Sequence, residues 1–386
     1  MNKRKVCVVL TTRGNYAKLK SMLELISQDD GLELQIVLGG MVVLEKYGRI
    51  SELIEKYQTG TVRNVNFVIE GETLLTMAKS SGLAMIEYSS TFSELQPDLV
   101  VVTGDRFECL PIAMAASYMN ITVCHIEGGE VSGSIDESIR HAITKMSHIH
   151  LPASAEARER IVKLGEDPEK VFQVGATSMD VIRKTDLSSL EPVRAYQKAF
   201  GMGADIELEP EKYLVVIQHP VTSEYESNFD NIKATVEALE KIGMPTVWIM
   251  PNMDAGSDGI NKAIRHFREE KNPDYIHFFK SLPIELFAPL LKNSACLVGN
   301  SSSGVRESAY IGAPSVNIGT RQNGRQRGKN IIDVDYDSAA IIRAIHQQVK
   351  HGHYPSDPLY GDGYAADKII EILRTCDLST QKTIAY

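Results

Sequence analysis

The feature that most constrains this chain is a pattern that runs twice along it. Short, continuous apolar runs alternate with longer stretches whose apolar residues fall at helical spacing. Val6–Leu10 is followed by a helical stretch from Asn15 to Ile26 carrying Leu19, Met22, Leu23, Leu25 and Ile26. Leu34–Leu38, Asp98–Thr103, Ile121–Ile126, His148–Leu151 and Val171–Val174 then read as strands, with Ile112–Tyr118 and Asp136–Met146 as helices among them. A run without polar alternation suits a strand covered on both faces, and repeated strand–helix units imply a parallel sheet with right-handed crossovers. A polar stretch, Leu187–Pro210, holds Pro192, Gly201, Gly203 and Pro210 and reads as an irregular connection. The alternation restarts with strands at Tyr213–Ile217, Thr246–Met250, Tyr275–Phe278, Ala295–Val298 and Ser315–Ile318, and helices at Asn231–Ile242 and Ile284–Leu291. The expected fold class is α/β, with two Rossmann-like domains facing across a cleft. Residues 1–186 are expected to form the first domain and 187–364 the second. The segment 365–386, with a helix at Ala365–Leu373, is expected to pack back on the first. A length of 386 residues suits two domains of common size.

Charge and cysteine usage narrow the functional classes. The net charge is −9 and no basic patch stands out, which argues against a general nucleic-acid binder. No apolar run approaches a membrane span, and Thr11, Thr12 and Arg13 interrupt the first one too early for a signal peptide. Cys7, Cys109, Cys124, Cys296 and Cys376 are odd in number, far apart and without CxxC spacing, so a reducing, cytoplasmic setting is expected.

Ligands of open α/β sheets bind beyond the carboxyl ends of the strands, so polar residues there carry the functional argument. Thr11-Thr12-Arg13-Gly14-Asn15-Tyr16 is either an ordinary turn with an exposed arginine or a phosphate-binding helix start. Gly104-Asp105-Arg106 is either a surface ion pair or a catalytic pair. His125-Ile126-Glu127-Gly128-Gly129-Glu130 leads through Ser132-Gly133 to Asp136, Arg140 and His141, placing three carboxylates within ten residues. Asp136 and Arg140 share a helix face and can simply pair, which leaves Glu127 unexplained; the two glycines would let backbone approach a ligand. Gln218-His219-Pro220 places a histidine where it can balance departing charge. Gly299-Asn300-Ser301-Ser302-Ser303-Gly304-Val305-Arg306-Glu307 is a Gly/Ser turn whose N–H groups and hydroxyls suit phosphate oxygens, and Glu307 suits ribose hydroxyls. Gly319-Thr320-Arg321-Gln322 adds a second cation. HExxH, GxSxG, the P-loop and an early GxGxxG are absent, so metalloprotease, esterase, NTPase and nicotinamide chemistry are disfavoured. His148 and His150 share a strand face, where metal binding is a possible but disfavoured reading.

Taken together, these motifs and Pro251-Asn252-Met253-Asp254-Ala255-Gly256-Ser257 resemble the UDP-N-acetylglucosamine 2-epimerases over nearly the whole chain. The Ile126-Glu127-Gly128-Gly129-Glu130 segment is similar to that of the hydrolysing branch. That branch includes bacterial sialic-acid pathway enzymes and the epimerase half of the bifunctional animal enzyme. The resemblance implies a GT-B-like fold and a reaction without metal or other cofactor. UDP leaves C1 as a base takes the C2 proton, and water adds to the resulting 2-acetamidoglucal to give N-acetylmannosamine. It implies Asp105, Glu127, Asp136 and His219 as catalytic residues. It further implies Arg13, Arg106, Arg140, Asn252, Ser301, Ser302, Glu307 and Arg321 as the residues holding the UDP-sugar. The partners it implies are a UDP-sugar, UDP, and further copies of the chain as a homodimer or homotetramer, with no nucleic acid or membrane. Many relatives carry an acidic residue before the tyrosine of the first loop, where this chain has Asn15. That difference leaves open a 2,4-diacetamido-trideoxy sugar nucleotide, of the legionaminic-acid type, as the substrate. A GT-B glycosyltransferase is the competing class, although no acceptor surface is evident.

Overall fold

The first parallel sheet is built from β1 (Arg4–Leu10), β2 (Leu32–Leu38), β3 (Thr61–Asn64), β4 (Leu99–Thr103), β5 (Thr122–Ile126) and β6 (Ile149–Leu151). The computed structural model describes residues 3–44, 51–57, 60–71, 73–251 and 254–385. The strand order is β3-β2-β1-β4-β5-β6, and every pairing is parallel. Successive residues of a strand point to opposite faces, so the continuous apolar runs feed two cores at once. Val6, Val8, Leu10, Leu99 and Val101 pack with Leu19 and Leu23 of the helix Arg13–Gln28. Cys7, Val9, Val100 and Val102 pack on the other face with Phe92 and Ile112.

The second sheet contains β7 (Met202–Gly203), β8 (Leu214–Ile217), β9 (Thr246–Ile249), β10 (Ile276–Phe279), β11 (Cys296–Gly299), β12 (Ser315–Ile318) and β13 (Ile331–Val334). Its order is β13-β12-β11-β8-β9-β10-β7, with only β7 antiparallel. Apart from β7, this is the same doubly wound order as the first sheet. In each sheet the strand order reverses at one point, between β1 and β4 and between β8 and β11, and such switch points are where doubly wound folds hold ligands. Each half therefore has one preferred place for a ligand: the loops after β1 and β4, and the loops after β8 and β11.

The chain divides into two compact units. The first comprises Met1–Glu130, Ile135–Arg183 and Tyr360–Tyr386; the second comprises Val131–Ser134 and Lys184–Leu359. The helix Ala365–Thr375 returns to the first unit, where Ala366, Ile369, Ile370 and Leu373 join the core beside the first helix. The buried Asp180 carboxylate caps it, accepting from the N–H groups of Ala365 (3.0 Å) and Ala366 (2.9 Å). Arg4 donates to its final turn at the Leu373 carbonyl (2.6 Å).

Two sequence expectations change. Leu187–Pro210 is not irregular throughout, for it contains the helix Glu191–Phe200 and the edge strand β7. Pro192 lies in that helix's first turn, where a missing N–H costs nothing, so it starts the helix rather than breaking it. Val171–Val174 makes a single bridge, Val171 to His150, instead of a strand. The half-exposed edge strands β3 and β13 have no continuous buried face, which is why their apolar pattern is weak. Among the described residues, no helix is long and apolar enough to cross a membrane.

Candidate active site

In the first unit the switch point is framed by Thr11–Arg13 after β1 and Gly104–Arg106 after β4. Thr12 caps the first helix, its hydroxyl accepting from the Asn15 N–H at 3.0 Å, while the Thr11 hydroxyl donates to Asn15 Oδ1 at 2.8 Å. Arg13 opens that helix and is half-buried. Gly104 has φ +83°, a backbone state natural to glycine, and it turns the chain so that Asp105 follows directly. Arg106 donates to the buried Glu108 at 2.8 Å.

Beneath this loop lies His125, fully buried on β5. Its Nε2 sits 2.9 Å from the Gly104 carbonyl, which can only accept, so Nε2 carries the proton. Nδ1 lies 3.2 Å from the Thr144 hydroxyl. Burial pushes the imidazole down to about 4, so at neutral pH it is an uncharged prop. The sign of the pH effect follows: the depressed value stabilises the fold fully above about pH 6.5. Between there and about pH 4 that stability, about 3 kcal/mol, is lost. Urea denaturation at pH 7 and pH 4 is expected to reveal this loss, and His125→Asn to make the fall shallower.

Arg140 was expected among the substrate-binding residues. It is fully buried on the helix Asp136–Met146 and engaged on several sides. Nε donates to Asp105 Oδ2 at 2.9 Å and Nη2 bonds the same oxygen. Nη1 donates to Glu137 Oε2 at 2.7 Å and to the Glu130 carbonyl at 3.0 Å. Burial opposes its charge, but the carboxylates of Asp105, Glu130 and Glu137 outweigh that, and its pKa rises above the usual value. This arrangement orients Asp105. Glu137, not singled out in the sequence, links Arg140 to His141 Nε2 at 2.9 Å. Asp136 sits half-buried in the first turn of the same helix.

Glu127 is 5% exposed and has φ +66°, an uncommon state for a residue with a side chain. Its N–H donates to the Leu151 carbonyl of β6 at 3.1 Å, and its carboxylate lies 3.4 Å from Lys18 Nζ. Lys18 was also missed; its only sequence signal is its place on the helix that Arg13 opens. The adjacent glycines have a different reason from the one expected. A Cβ on Gly129 would lie 2.3 Å from the Ala157 carbonyl, and one on Gly128 would lie 2.7 Å from His125 Nδ1. Internal packing therefore demands both.

In the second unit Gly299, φ +132°, ends β11 so close to β8 that a Cβ would lie 2.1 Å from the Ile217 carbonyl. The next residue, Asn300, is buried and ties the switch-point loops together. Its Oδ1 accepts from the His219 N–H (2.7 Å) and its Nδ2 donates to the His219 carbonyl (2.9 Å). Its own carbonyl accepts from Gln322 Nε2 (2.8 Å) and Arg321 Nη1 (3.3 Å). His219 and Arg321 are thereby brought together around one asparagine. Ser301 accepts from the Ser303 N–H at 3.3 Å and starts the turn Ser302–Gly304, and the buried Glu307 follows. Gly133, from the short segment counted with this unit, donates its N–H to the Arg321 carbonyl at 3.0 Å. Asn252 lies outside the described residues.

Other titratable groups have structural partners. His150 lies 3.0 Å from the buried Glu166, which also pairs with Lys145 and Lys382. His148 accepts the Val123 N–H and donates to the Thr380 carbonyl. Among the described residues, no group of three or more His, Cys, Asp or Glu is placed to hold a metal ion.

Two doubly wound α/β units with polar loops at both switch points make this a GT-B-like fold. The chain belongs to the UDP-N-acetylglucosamine 2-epimerase family, whose model matches residues 24–374. It is 34% identical to the UDP-N-acetylglucosamine 2-epimerase of Neisseria meningitidis serogroup B, with 98% of each chain covered. It is 32% identical to the hydrolysing UDP-N,N'-diacetylbacillosamine 2-epimerase of Legionella pneumophila, covering 98% of this chain and 97% of that one. Among solved structures, UDP-GlcNAc 2-epimerase from Methanocaldococcus jannaschii in complex with UDP-GlcNAc and UDP matches with a TM-score of 0.77. The identity there is 19%, over 96% of this chain and 99% of that one. UDP-GlcNAc 2-epimerase from Neisseria meningitidis bound to UDP-GlcNAc matches at 0.76 and 16%, with the same coverage.

Proposed function

We propose that this protein is a hydrolysing UDP-N-acetylglucosamine 2-epimerase, converting UDP-GlcNAc and water to N-acetylmannosamine and UDP. The observation that carries the reading is the Asp105 carboxylate, held by a buried arginine at the first sheet's switch point. The C2 proton is weakly acidic, and its removal needs a carboxylate fixed in place. In the proposed reaction a base takes that proton as the C1–O bond to UDP breaks, leaving a 2-acetamidoglucal. Water then adds, its hydroxyl to C1 and a proton to C2 with inverted stereochemistry. Asp105, Glu127 and Asp136 supply the acid and base. Arg13, Arg106, His219, Asn252, Ser301, Ser302, Glu307 and Arg321 hold the UDP moiety and offset the charge of its departure. Arg140 contributes by orienting Asp105. The free cysteines support a reducing, cytoplasmic setting.

A second reading keeps the chemistry and changes the sugar to UDP-2,4-diacetamido-2,4,6-trideoxyglucose. It is favoured by Asn15, whose side chain is held by Thr11, and by the similarity to the Legionella enzyme. Incubation with UDP-GlcNAc in deuterated water, followed by proton NMR, tests both. Free N-acetylmannosamine deuterated at C2 is expected. UDP-N-acetylmannosamine as product would overturn hydrolysis, and turnover of the diacetamido analogue alone would move the substrate. Sugar transfer to an added acceptor without C2 exchange would identify a glycosyltransferase.

A further inference from the structure

In the second unit the loop after β8 carries His219 and the loop after β12 carries Arg321, and one side chain ties the two loops together. Glu224 lies in the short helix Thr222–Ser227, where its φ of −114° and ψ of 31° break the helical path. Its N–H donates to the Val221 carbonyl at 3.0 Å, which anchors it to the stretch that follows His219. Its carboxylate gathers donors from three other segments. Oε1 accepts from the hydroxyl of Thr320, the residue before Arg321. Oε2 accepts from the Tyr336 hydroxyl at 3.0 Å and from Asn231 Nδ2, on the helix Asn228–Ile242, at 3.0 Å. Tyr336 follows β13 and passes against Gly319, whose φ is +74° and where a Cβ would collide with the tyrosine ring. Glycine at 319 therefore serves this network as well as the turn.

A carboxylate beside an arginine-bearing loop would ordinarily take the guanidinium. Glu224 takes the neighbouring hydroxyl instead, and its three side-chain partners are all neutral. A carboxylate bound to the guanidinium would offset the charge that draws an anionic ligand, whereas one bound to Thr320 fixes the loop without doing so. The guanidinium is steadied separately, Nη1 donating to the Asn300 carbonyl at 3.3 Å. We propose that Glu224 is a positioning residue for the diphosphate grip of the second unit: through Thr320 it sets where Arg321 stands relative to His219. This rests on the reading that His219 and Arg321 hold UDP. The role is geometric, so it does not need the negative charge. Glutamine can turn its oxygen to Tyr336 and Asn231 and its N–H to the Thr320 oxygen, because a hydroxyl accepts as well as donates.

Calorimetric titration of the full chain with UDP tests this. Glu224→Ala is expected to weaken UDP binding by about tenfold, while Glu224→Gln stays near the wild type. Thr320→Val cuts the same link from the other side at almost constant shape and is expected to match the alanine variant, so the test stands even if Glu224→Ala misfolds. In an Arg321→Met background, Glu224→Ala is expected to cost nothing further. A residue acting through Arg321 requires that result, and a general loosening of the fold does not give it. Wild-type affinity in both Glu224→Ala and Thr320→Val would overturn the proposal. So would a glutamine variant as weak as the alanine one, or a loss that adds in full to that of Arg321→Met. If Arg321→Met weakens UDP binding while the Glu224 and Thr320 variants keep it, the failure is confined to this inference. A wild type that does not bind UDP overturns the underlying reading together with it.

Discussion

Asp105→Asn is expected to lower kcat for UDP release from UDP-GlcNAc by about 10²–10⁴-fold, and to cost some stability, because the fully buried Arg140 loses one charged partner while keeping Glu137. Asparagine is isosteric and keeps an oxygen for the Arg140 guanidinium, which bonds a single Asp105 oxygen through both Nε and Nη2. The loop should therefore hold its position, propped by His125 at the Gly104 carbonyl. What is lost is the negative charge that can take or return a proton. Glu127→Gln is expected to fall in the same range, and its left-handed backbone is no obstacle because glutamine has the same shape. The measurement is steady-state UDP release together with deuterium entry at C2. If both variants kept wild-type exchange at C2, the carboxylates would not be the acid and base, and the proposed chemistry would fail.

Arg140→Met is expected to destabilise the fold by about 3 kcal/mol, near the lower end for breaking a buried ion pair. The lower end applies because the two carboxylates it abandons are not sealed in: Asp105 is 25% and Glu137 31% exposed, so water can partly replace the guanidinium. The Glu130 carbonyl also loses a donor. Arg140→Lys keeps the charge but loses the fork, and should recover part of the stability while kcat stays low, since Asp105 is no longer aimed. Urea denaturation and steady-state kinetics on the same samples separate these effects. A lysine variant with wild-type kcat would show that the fork does not position Asp105.

The reach of sequence reading differed from residue to residue. Strands such as Val6–Leu10 and Asp98–Thr103 were legible because burial on both faces forces an unbroken apolar run. The helix Glu191–Phe200 was not, since its Pro192 carries the same letter whether it starts a helix or ends one. Asp105 and Glu127 could be picked out as carboxylates after strands. Lys18 and Glu137 could not, because nothing local separates them from ordinary surface charges. Arg140 was read as a ligand-binding cation; its burial against Asp105 and Glu137 is something only the fold could supply. Gly128 and Gly129 invited a ligand-approach explanation, whereas their real neighbours are the Ala157 carbonyl and the His125 ring.

By itself, then, the sequence determined the alternation of elements, the doubly wound class, the family and the chemical kinds of residue at the strand ends. These depend on periodicity and local residue type, which are written along the chain. Only the tertiary structure decided which groups meet: Arg140 with Asp105 across 35 positions, Lys18 with Glu127 across 109, and Asn300 with His219 across 81. Such pairings depend on strand order and on which face each helix turns inward, and both are settled by burying apolar surface throughout the fold rather than by any short stretch of residues.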